Sequence, residues 1–303
     1  MLRMKRARRR FRPALIAATV AASLALPLAA TQPASAAPGG AAATAPAARP
    51  APAASERTAM YARDHDGVLW QYSGTGWAKP PFQSRTRIGR GWDRYVKITS
   101  LGGTSADGTG DVAAVDRDGK LFFYEGSGIP YAPFKVPQGI GYGWDRYISI
   151  TGAGDADNDG KNDLVARDAD GGLYFYAGTG NPSAPFAKPV RVGGGWQVYD
   201  HLTTFGDGLL ARDTNGVLWR YRATGSSDPH RPFEPRVRVG GGWNVYADFV
   251  GIRDLDGDGL PDLAARDLGG QLSVYLGMRY QGEVVPDRAI PIGGGWDTYD
   301  LLF

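Results

Sequence analysis

There is no cysteine in this sequence. That excludes a disulfide framework, a thiol nucleophile and a thiolate metal centre. Histidine is nearly as scarce. His65, His201 and His230 are the three in the chain. They sit at unrelated positions, the pattern of scattered surface or turn residues. Glutamate is rare as well, at Glu56, Glu125, Glu234 and Glu283. Cleaving a glycosidic bond needs two carboxylates flanking it, and no acid–base pair stands out. No G-x-S-x-G elbow is present. We therefore expect no catalytic residues and no enzyme. Sustained 3.6-residue periodicity is also missing, so almost no helix is expected.

Long apolar runs are lacking except near the start. Ala14 to Ala30 is 17 residues interrupted by Pro27, short of the about 20 a spanning helix needs. It follows MLRMKRARRRFR, with seven basic residues and no acid, and precedes Ala34-Ser35-Ala36. That order is a secretory signal peptide, residues 1–36, with an uncleaved anchor as the alternative. Arg8-Arg9-Arg10-Phe11 partly resembles a twin-arginine signal, so both export routes stay open. Losing the seven basic residues takes the net charge from +3 to −4. The case for a nucleic-acid partner goes with them, and no membrane span is expected after cleavage. Residues 37–56 are Ala/Pro-rich and read as a semi-extended tether. The folded part is then 57–303 of a secreted, extracellular protein.

What is abundant is repetition. G-W-x-x-Y places Trp92, Trp144, Trp196, Trp243 and Trp296 three residues before Tyr95, Tyr147, Tyr199, Tyr246 and Tyr299. In phase with it run ARDHDGVLWQY (62–72), AVDRDGKLFFY (114–124), ARDADGGLYFY (166–176), ARDTNGVLWRY (211–221) and ARDLGGQLSVY (265–275). A period near 50 marks a repeat architecture, with units of about 57–95, 96–147, 148–199, 200–246 and 247–303. Each reads as four short strands. In the third these are Tyr147–Thr151, Leu164–Arg167, Leu173–Tyr176 and Ala187–Val192. Four-stranded units repeated radially make an all-β, five-bladed β-propeller. The first unit lacks its leading strand and the chain ends in an extra one, so the C-terminal strand is expected to complete the first blade.

Two families are resembled. G-G-G-W-x-x-Y and the count of five resemble tachylectin-like five-bladed propeller lectins. The D-x-D-x-D-G-x-x-D-L segments are similar to the calcium loops of FG-GAP and VCBS repeats. Tachylectin-type units lack the aspartate loop, and integrin-type propellers have seven blades. Secreted bacterial FG-GAP/VCBS-repeat proteins with a tachylectin-like propeller combine both features. That resemblance implies calcium and a carbohydrate ligand.

The aspartate loops carry the clearest chemistry. Asp155, Asp157, Asp159, Lys161 and Asp163 share a spacing with Asp254, Asp256, Asp258, Leu260 and Asp262. Alternate carboxylates around a glycine-bearing turn, with a carbonyl at Lys161 or Leu260, supply hard oxygens for Ca²⁺. Position 12 is Ala166 or Ala265, so this is a hairpin loop and not an EF-hand. The second unit keeps a degraded version at Gly103, Ser105, Asp107 and Asp111, and the fourth has lost it. Solvated turns are the alternative reading.

The recurring tryptophans read as wedges between blades, and the Arg-Asp pair after strand two as structural. Less regular aromatics are better ligand candidates: Trp70, Trp77, Tyr131 and Trp219. The expected function is multivalent, lectin-like binding of extracellular or cell-wall glycans. A protein-interaction or structural module is the alternative, and a propeller glycosidase or lyase is the third.

Overall fold

A computed structural model describes residues 58–101 and 110–303. The expected leader (1–36) and tether (37–56), residue 57, and the loop positions Gly103, Ser105 and Asp107 lie outside the described residues. Among the described residues, twenty strands form five four-stranded antiparallel sheets. The first holds β1 (Ala59–Asp64), β2 (Leu69–Ser73) and β3 (Thr86–Gly89), with β20 (Tyr299–Leu302) on its leading edge. The second holds β4 (Tyr95–Ser100), β5 (Val112–Asp116), β6 (Leu121–Tyr124) and β7 (Gln138–Gly141). The third holds β8 (Tyr147–Gly154), β9 (Asp163–Asp168), β10 (Leu173–Tyr176) and β11 (Val190–Gly193). The fourth holds β12 (Tyr199–Thr204), β13 (Gly208–Asp213), β14 (Leu218–Arg222) and β15 (Val237–Gly240). The fifth holds β16 (Tyr246–Ile252), β17 (Asp262–Asp267), β18 (Leu272–Tyr280) and β19 (Glu283–Gly293).

This is a five-bladed propeller closed by its last strand. In β20, Leu302 lies opposite Ala62 and Leu301 opposite Arg63. Tyr61 and Phe303 exchange backbone hydrogen bonds at 2.8 and 2.9 Å. The leading strands touch one after another from β4 through β8, β12 and β16 to β20. Among the described residues, no helix is long and apolar enough to cross a membrane.

The core is five layers, one per blade interface. The second strand of each blade explains why. In β9, Leu164 and Ala166 pack toward blade two while Val165 packs toward blade four. In β13, Leu209 and Ala211 face blade three while Leu210 faces blade five. In β5, Val112 and Ala114 face blade one while Ala113 and Val115 face blade three. Side chains alternate across a strand, and here both faces are buried. The strand therefore reads as an unbroken apolar run and not as alternating apolar and polar residues.

Each layer contains one tryptophan of the G-W-x-x-Y motif, from 7% to 9% exposed. The ring lies on the tyrosine that ends the third-strand motif. Trp92 meets Tyr124 at 4.9 Å between centroids, Trp144 meets Tyr176 at 4.8 Å and Trp196 meets Tyr221 at 4.6 Å. That tyrosine in turn shares a hydroxyl–hydroxyl hydrogen bond with the motif tyrosine of its own blade. Tyr95–Tyr124 and Tyr199–Tyr221 are 2.6 Å apart, and Tyr147–Tyr176 is 2.8 Å. Burial lifts the Tyr124, Tyr176 and Tyr221 phenols above the ordinary range.

The recurring Arg-Asp pair does not pair with itself, because adjacent strand residues point to opposite faces. The arginine reaches the next blade. Arg63 donates to the carbonyls of Trp92 (3.0 Å) and Tyr95 (2.7 Å), and Arg212 to those of Trp243 (3.1 Å) and Tyr246 (2.6 Å). Arg167 and Arg266 repeat the bond at Trp196 and Trp296, each at 2.8 Å. The aspartate holds its own turn instead. Asp64 accepts the N–H of Asp66 (3.1 Å) and Val68 (2.9 Å). In blade two Val115 stands in the arginine position and packs into the layer directly.

Four tryptophans begin a one-turn 3-10 helix that sequence periodicity did not reveal. The preceding Gly91, Gly195, Gly242 and Gly295 have φ between 87° and 89°. Open space surrounds each one. The left-handed backbone, not crowding, is what requires glycine. The strand limits also differ slightly from expectation: β8 runs on to Gly154, and β11 begins only at Val190.

His201 is not a loose surface residue. It lies half-buried in β12, and its Nε2 meets the Phe249 carbonyl of blade five at 2.7 Å. Burial holds its imidazole below the ordinary 6.5, opposed by that carbonyl and by Asp248 and Asp200, and assisted by Arg212. Arg266 ties up Asp248 at 2.8 Å.

Two outcomes follow from these contacts. Arg167→Met keeps the apolar stem but strands two buried carbonyls. It should cost about 1–3 kcal/mol of unfolding free energy, measured by urea denaturation. The unfolded chain protonates His201 before the folded one does, so its contribution is complete above about pH 6.5 and lost as pH falls. A His201→Gln variant should therefore lose less melting temperature than the parent between about pH 7 and pH 5. Equal losses would contradict this.

Candidate metal and ligand sites on one rim

Antiparallel strands alternate direction, so a blade's first-to-second and third-to-fourth connections emerge at the same end. In blade three that end carries the acidic loop between β8 and β9. Asp155 accepts the N–H of Asp159 (2.9 Å) and Gly160 (3.0 Å). Asp157 accepts the Asp159 N–H at 3.3 Å, and Asp159 that of Lys161 at 2.9 Å. Blade five repeats these bonds. Asp254 accepts from Asp258 (3.0 Å) and Gly259 (2.8 Å), Asp256 from Asp258 (3.3 Å), and Asp258 from Leu260 (2.7 Å). Gly160 and Gly259 take φ of 83° and 86° at the bend.

The bonds turn carboxylates toward one another. One oxygen from each of Asp155, Asp157 and Asp159 lies within 4.8 Å of the others, as do oxygens of Asp254, Asp256 and Asp262. Such a set of hard oxygens could hold a divalent cation of the calcium type. The two loops place their basic residue differently. Lys161 donates its ammonium to Asp159 at 2.7 Å, whereas Leu260 brings no charge and the basic residue of the blade-five loop is Arg253, before the first aspartate.

Asp163 and Asp262 have a further role that loop spacing alone did not reveal. Both are fully buried. Asp163 accepts the N–H of Ala156 and Gly178, each at 2.8 Å, and Asp262 those of Leu255 (2.6 Å) and Gly277 (2.8 Å). The Asp163 strap ties its loop to the third-to-fourth connection, and the Asp262 strap ties its loop to β18. Asp111 makes the same bond to Gly126 at 2.8 Å, in the blade whose loop acids have degraded. The sequence did hold the signal, in the constant offset from Asp111, Asp163 and Asp262 to Gly126, Gly178 and Gly277. Burial pushes Asp163 and Asp262 up to about 7, against the pull of those N–H bonds. Asp157 and Asp256 are raised by burial and then by Asp159 and Asp258. A cation among them would relieve that cost by stabilising the ionised forms.

The short connection of blade four carries no such cluster. It buttresses its neighbour: Asp207 accepts the Asp155 N–H at 3.4 Å, and its carbonyl takes Arg220 at 3.1 Å.

The same rim holds a second repeat. GTGWAKPPF (74–82), GSGIPYAPF (126–134), GTGNPSAPF (178–186) and ATGSSDPHRPF (223–233) each form a looped third-to-fourth connection. In each, a Thr or Ser N–H bonds a proline carbonyl across the loop at 2.9 Å. The tips present Trp77, 48% exposed, and Tyr131, 76% exposed. Between blades two and three, a cavity of about 210 Å³ opens beside the acidic loop. Asp111, Glu125, Lys161, Asn162 and Asn181 line it, with Phe186 among its apolar walls.

The four aromatic candidates do not converge. Trp70 and Trp219 lie at the other end of their sheets, beside the second-to-third turns. The Trp70 indole donates to Asp64 at 2.8 Å and the Trp219 indole to Asp213 at 2.9 Å. Arg85 and Arg236 each cover one ring at 4.1 Å from its centre. The glutamates among the described residues sit in ion pairs, Glu125 with Lys135, and Glu234 and Glu283 with Arg222.

No family model and no curated protein sequence matches the chain. Solved structures do, at low identity. AofleA from Arthrobotrys oligospora is 11% identical over 78% of this chain and 70% of its own, with a TM-score of 0.43. The BP39L lectin from Burkholderia pseudomallei is 14% identical over 77% and 66%, with a TM-score of 0.44. A putative 6-phosphogluconolactonase from Bacteroides fragilis is 12% identical over 79% and 69%, with a TM-score of 0.38. These identities are too low to transfer a ligand or a reaction from any of the three.

Proposed function

We propose that the chain is an exported, non-catalytic, calcium-binding propeller that holds glycans at its loop-bearing rim. The observation that carries this is the cavity between blades two and three. Sugar recognition needs hydroxyl partners and an apolar wall together. The cavity offers carboxylate, amide and ammonium groups over Phe186 and Pro185. At about 210 Å³ it falls below the roughly 300 Å³ at which drug-sized pockets begin, a size suited to one sugar residue of a longer chain. Trp77 and Tyr131 extend the same rim with exposed rings for stacking.

Calcium in this reading is a loop pin, as the likeness to FG-GAP and VCBS loops suggests. The ligands would be Asp155, Asp157 and Asp159 in blade three, and Asp254, Asp256, Asp258 and Asp262 in blade five. Asp163 and the carbonyls of Lys161 and Leu260 complete the sets. The metal supplies the charge that lets these carboxylates sit together. In blade three the pinned loop also sets one wall of the cavity through Lys161 and Asn162. The exposure of Trp77, Ile129 and Tyr131 favours a second reading, a protein-binding rim.

Titration calorimetry should count two calcium ions per chain, and Asp157→Asn with Asp256→Asn should abolish both. At a hundredfold excess over Kd each ion should add about 2.7 kcal/mol to stability, seen as a melting temperature that EDTA lowers. A stability indifferent to EDTA would contradict the metal assignment. On glycan arrays and insoluble polysaccharides, the intact protein should bind a defined glycan, and Lys161→Ala with Asn181→Ala should remove that binding. A folded protein that binds no glycan, with or without calcium, would overturn the lectin reading and favour a protein partner.

A further inference from the structure

The rim opposite the loops shows a pattern that is complete in four blades and open in the fifth. In blades one to four an arginine shields the tyrosine pair from solvent. Arg85 stacks on Trp70 and donates to the Tyr299 hydroxyl. Arg236 stacks on Trp219 and donates to the Tyr199 hydroxyl. Arg94 covers Phe122 at 4.7 Å and Tyr95 at 4.9 Å. Arg146 covers Tyr147 at 4.5 Å and donates to its hydroxyl.

The four arginines come from two different places in the repeat. Arg85 and Arg236 lie four residues before the glycine ending the fourth strand, Gly89 and Gly240. Arg94 and Arg146 immediately precede the motif tyrosine. Two sequence routes thus deliver the same group to the same spot. The shared requirement is a guanidinium over the phenol pair.

Blade five has neither route. Its counterparts are Ala289, opposite Tyr275 in the sheet, and Val245, just before Tyr246. The aromatic platform is gone too, since Ser273 stands where Trp70, Phe122, Tyr174 and Trp219 stand elsewhere. Tyr246 is half-buried, whereas Tyr95, Tyr147, Tyr199 and Tyr299 are 1% to 3% exposed. Arginine acts on the phenols of Tyr72, Tyr124, Tyr176 and Tyr221, but burial and Tyr246 alone act on that of Tyr275. Asp267 completes the notch. It bonds the N–H of Gly269 (2.8 Å) and Gln271 (2.9 Å), as Asp64 and Asp213 bond their own turns, but no indole shares it. In blade four Arg236 donates to the Tyr199 hydroxyl, and its charge also reaches Asp213.

We propose that the blade-five notch formed by Tyr246, Tyr275, Ser273, Ala289 and Asp267 binds a guanidinium group presented by another molecule. The group would donate to the tyrosine hydroxyls, as Arg85, Arg146 and Arg236 do in their own blades, and would gain in addition from the charge of Asp267. It would enter through the space left by the missing side chains at Ser273 and Ala289. An ammonium is a poorer fit, because it lacks the planar fork of donors that reaches two acceptors at once.

The test is NMR of the protein with labelled tyrosine rings, titrated with methylguanidinium, methylammonium and N-acetylarginine amide. Methylguanidinium should shift Tyr246 and Tyr275 saturably, leave the other four pairs unmoved, and outcompete methylammonium. Tighter binding of the arginine amide would point to a protein or peptide as the source. Tighter binding of methylguanidinium would point to a small guanidino compound. Ala289→Arg supplies the missing arginine from within and should abolish the response, with the other tyrosine signals reporting that the fold is intact. Asp267→Asn, which keeps the turn acceptor, should weaken binding by about tenfold. Equal response to both cations, no saturable shift, or undiminished binding in both variants would overturn the assignment.

Discussion

Burial of both faces of each second strand is the constraint on which the rest of this structure depends. A sheet with two apolar faces cannot stand alone in water, so each blade needs a neighbour on either side. The ring satisfies that demand for all five at once, and β20 supplies the strand without which blade one would present an unpaired edge. The tryptophan of each layer adds the large apolar surface, and its carbonyl adds a polar address that the preceding blade's arginine reads. Interfaces are thus fastened twice, by ring stacking and by charge-assisted hydrogen bonds. Blade two shows that the second fastening is dispensable where Val115 fills the space.

Such a ring frees its rims for other tasks. Strand ends are fixed by the layers beneath, so loops there tolerate different chemistry from blade to blade. Blades three and five carry acidic loops, blade four a short buttress, and blade five a long hairpin in place of the proline-bearing connection. The aspartate straps at 111, 163 and 262 mark where the frame ends and the variable loop begins. This explains why Asp111 persists in blade two beside a loop that keeps only Asp107 of the acidic series. Its bond to Gly126 serves the frame and needs no cation.

Much of this was legible in the sequence, for identifiable reasons. The blade count and the ring closure follow from motifs at fixed offsets, which report geometry directly. The layered packing of the tryptophans could be read from their recurrence. Other features escaped because their signal is not local. The arginine of the Arg-Asp pair bonds carbonyls about 30 residues ahead, and no pattern of neighbours reveals that. The one-turn helices after Gly91 or Gly195 are too short for any periodicity. Trp70 and Trp219 stood out as irregular aromatics, yet Arg85 and Arg236, which cover them, lie in a different strand. The blade-five notch is visible only as an absence, once the other four blades have shown what belongs there.

Central to the proposed function is that the two acidic loops are metal sites and not solvated turns. A crystal structure grown with calcium, with anomalous data to locate the ion, tests this most directly. Metal-binding loops would give two anomalous peaks per chain, one ringed by Asp155, Asp157 and Asp159 and one by Asp254, Asp256 and Asp262, with none in blade four. Loops without a peak, their aspartates facing solvent, would contradict it.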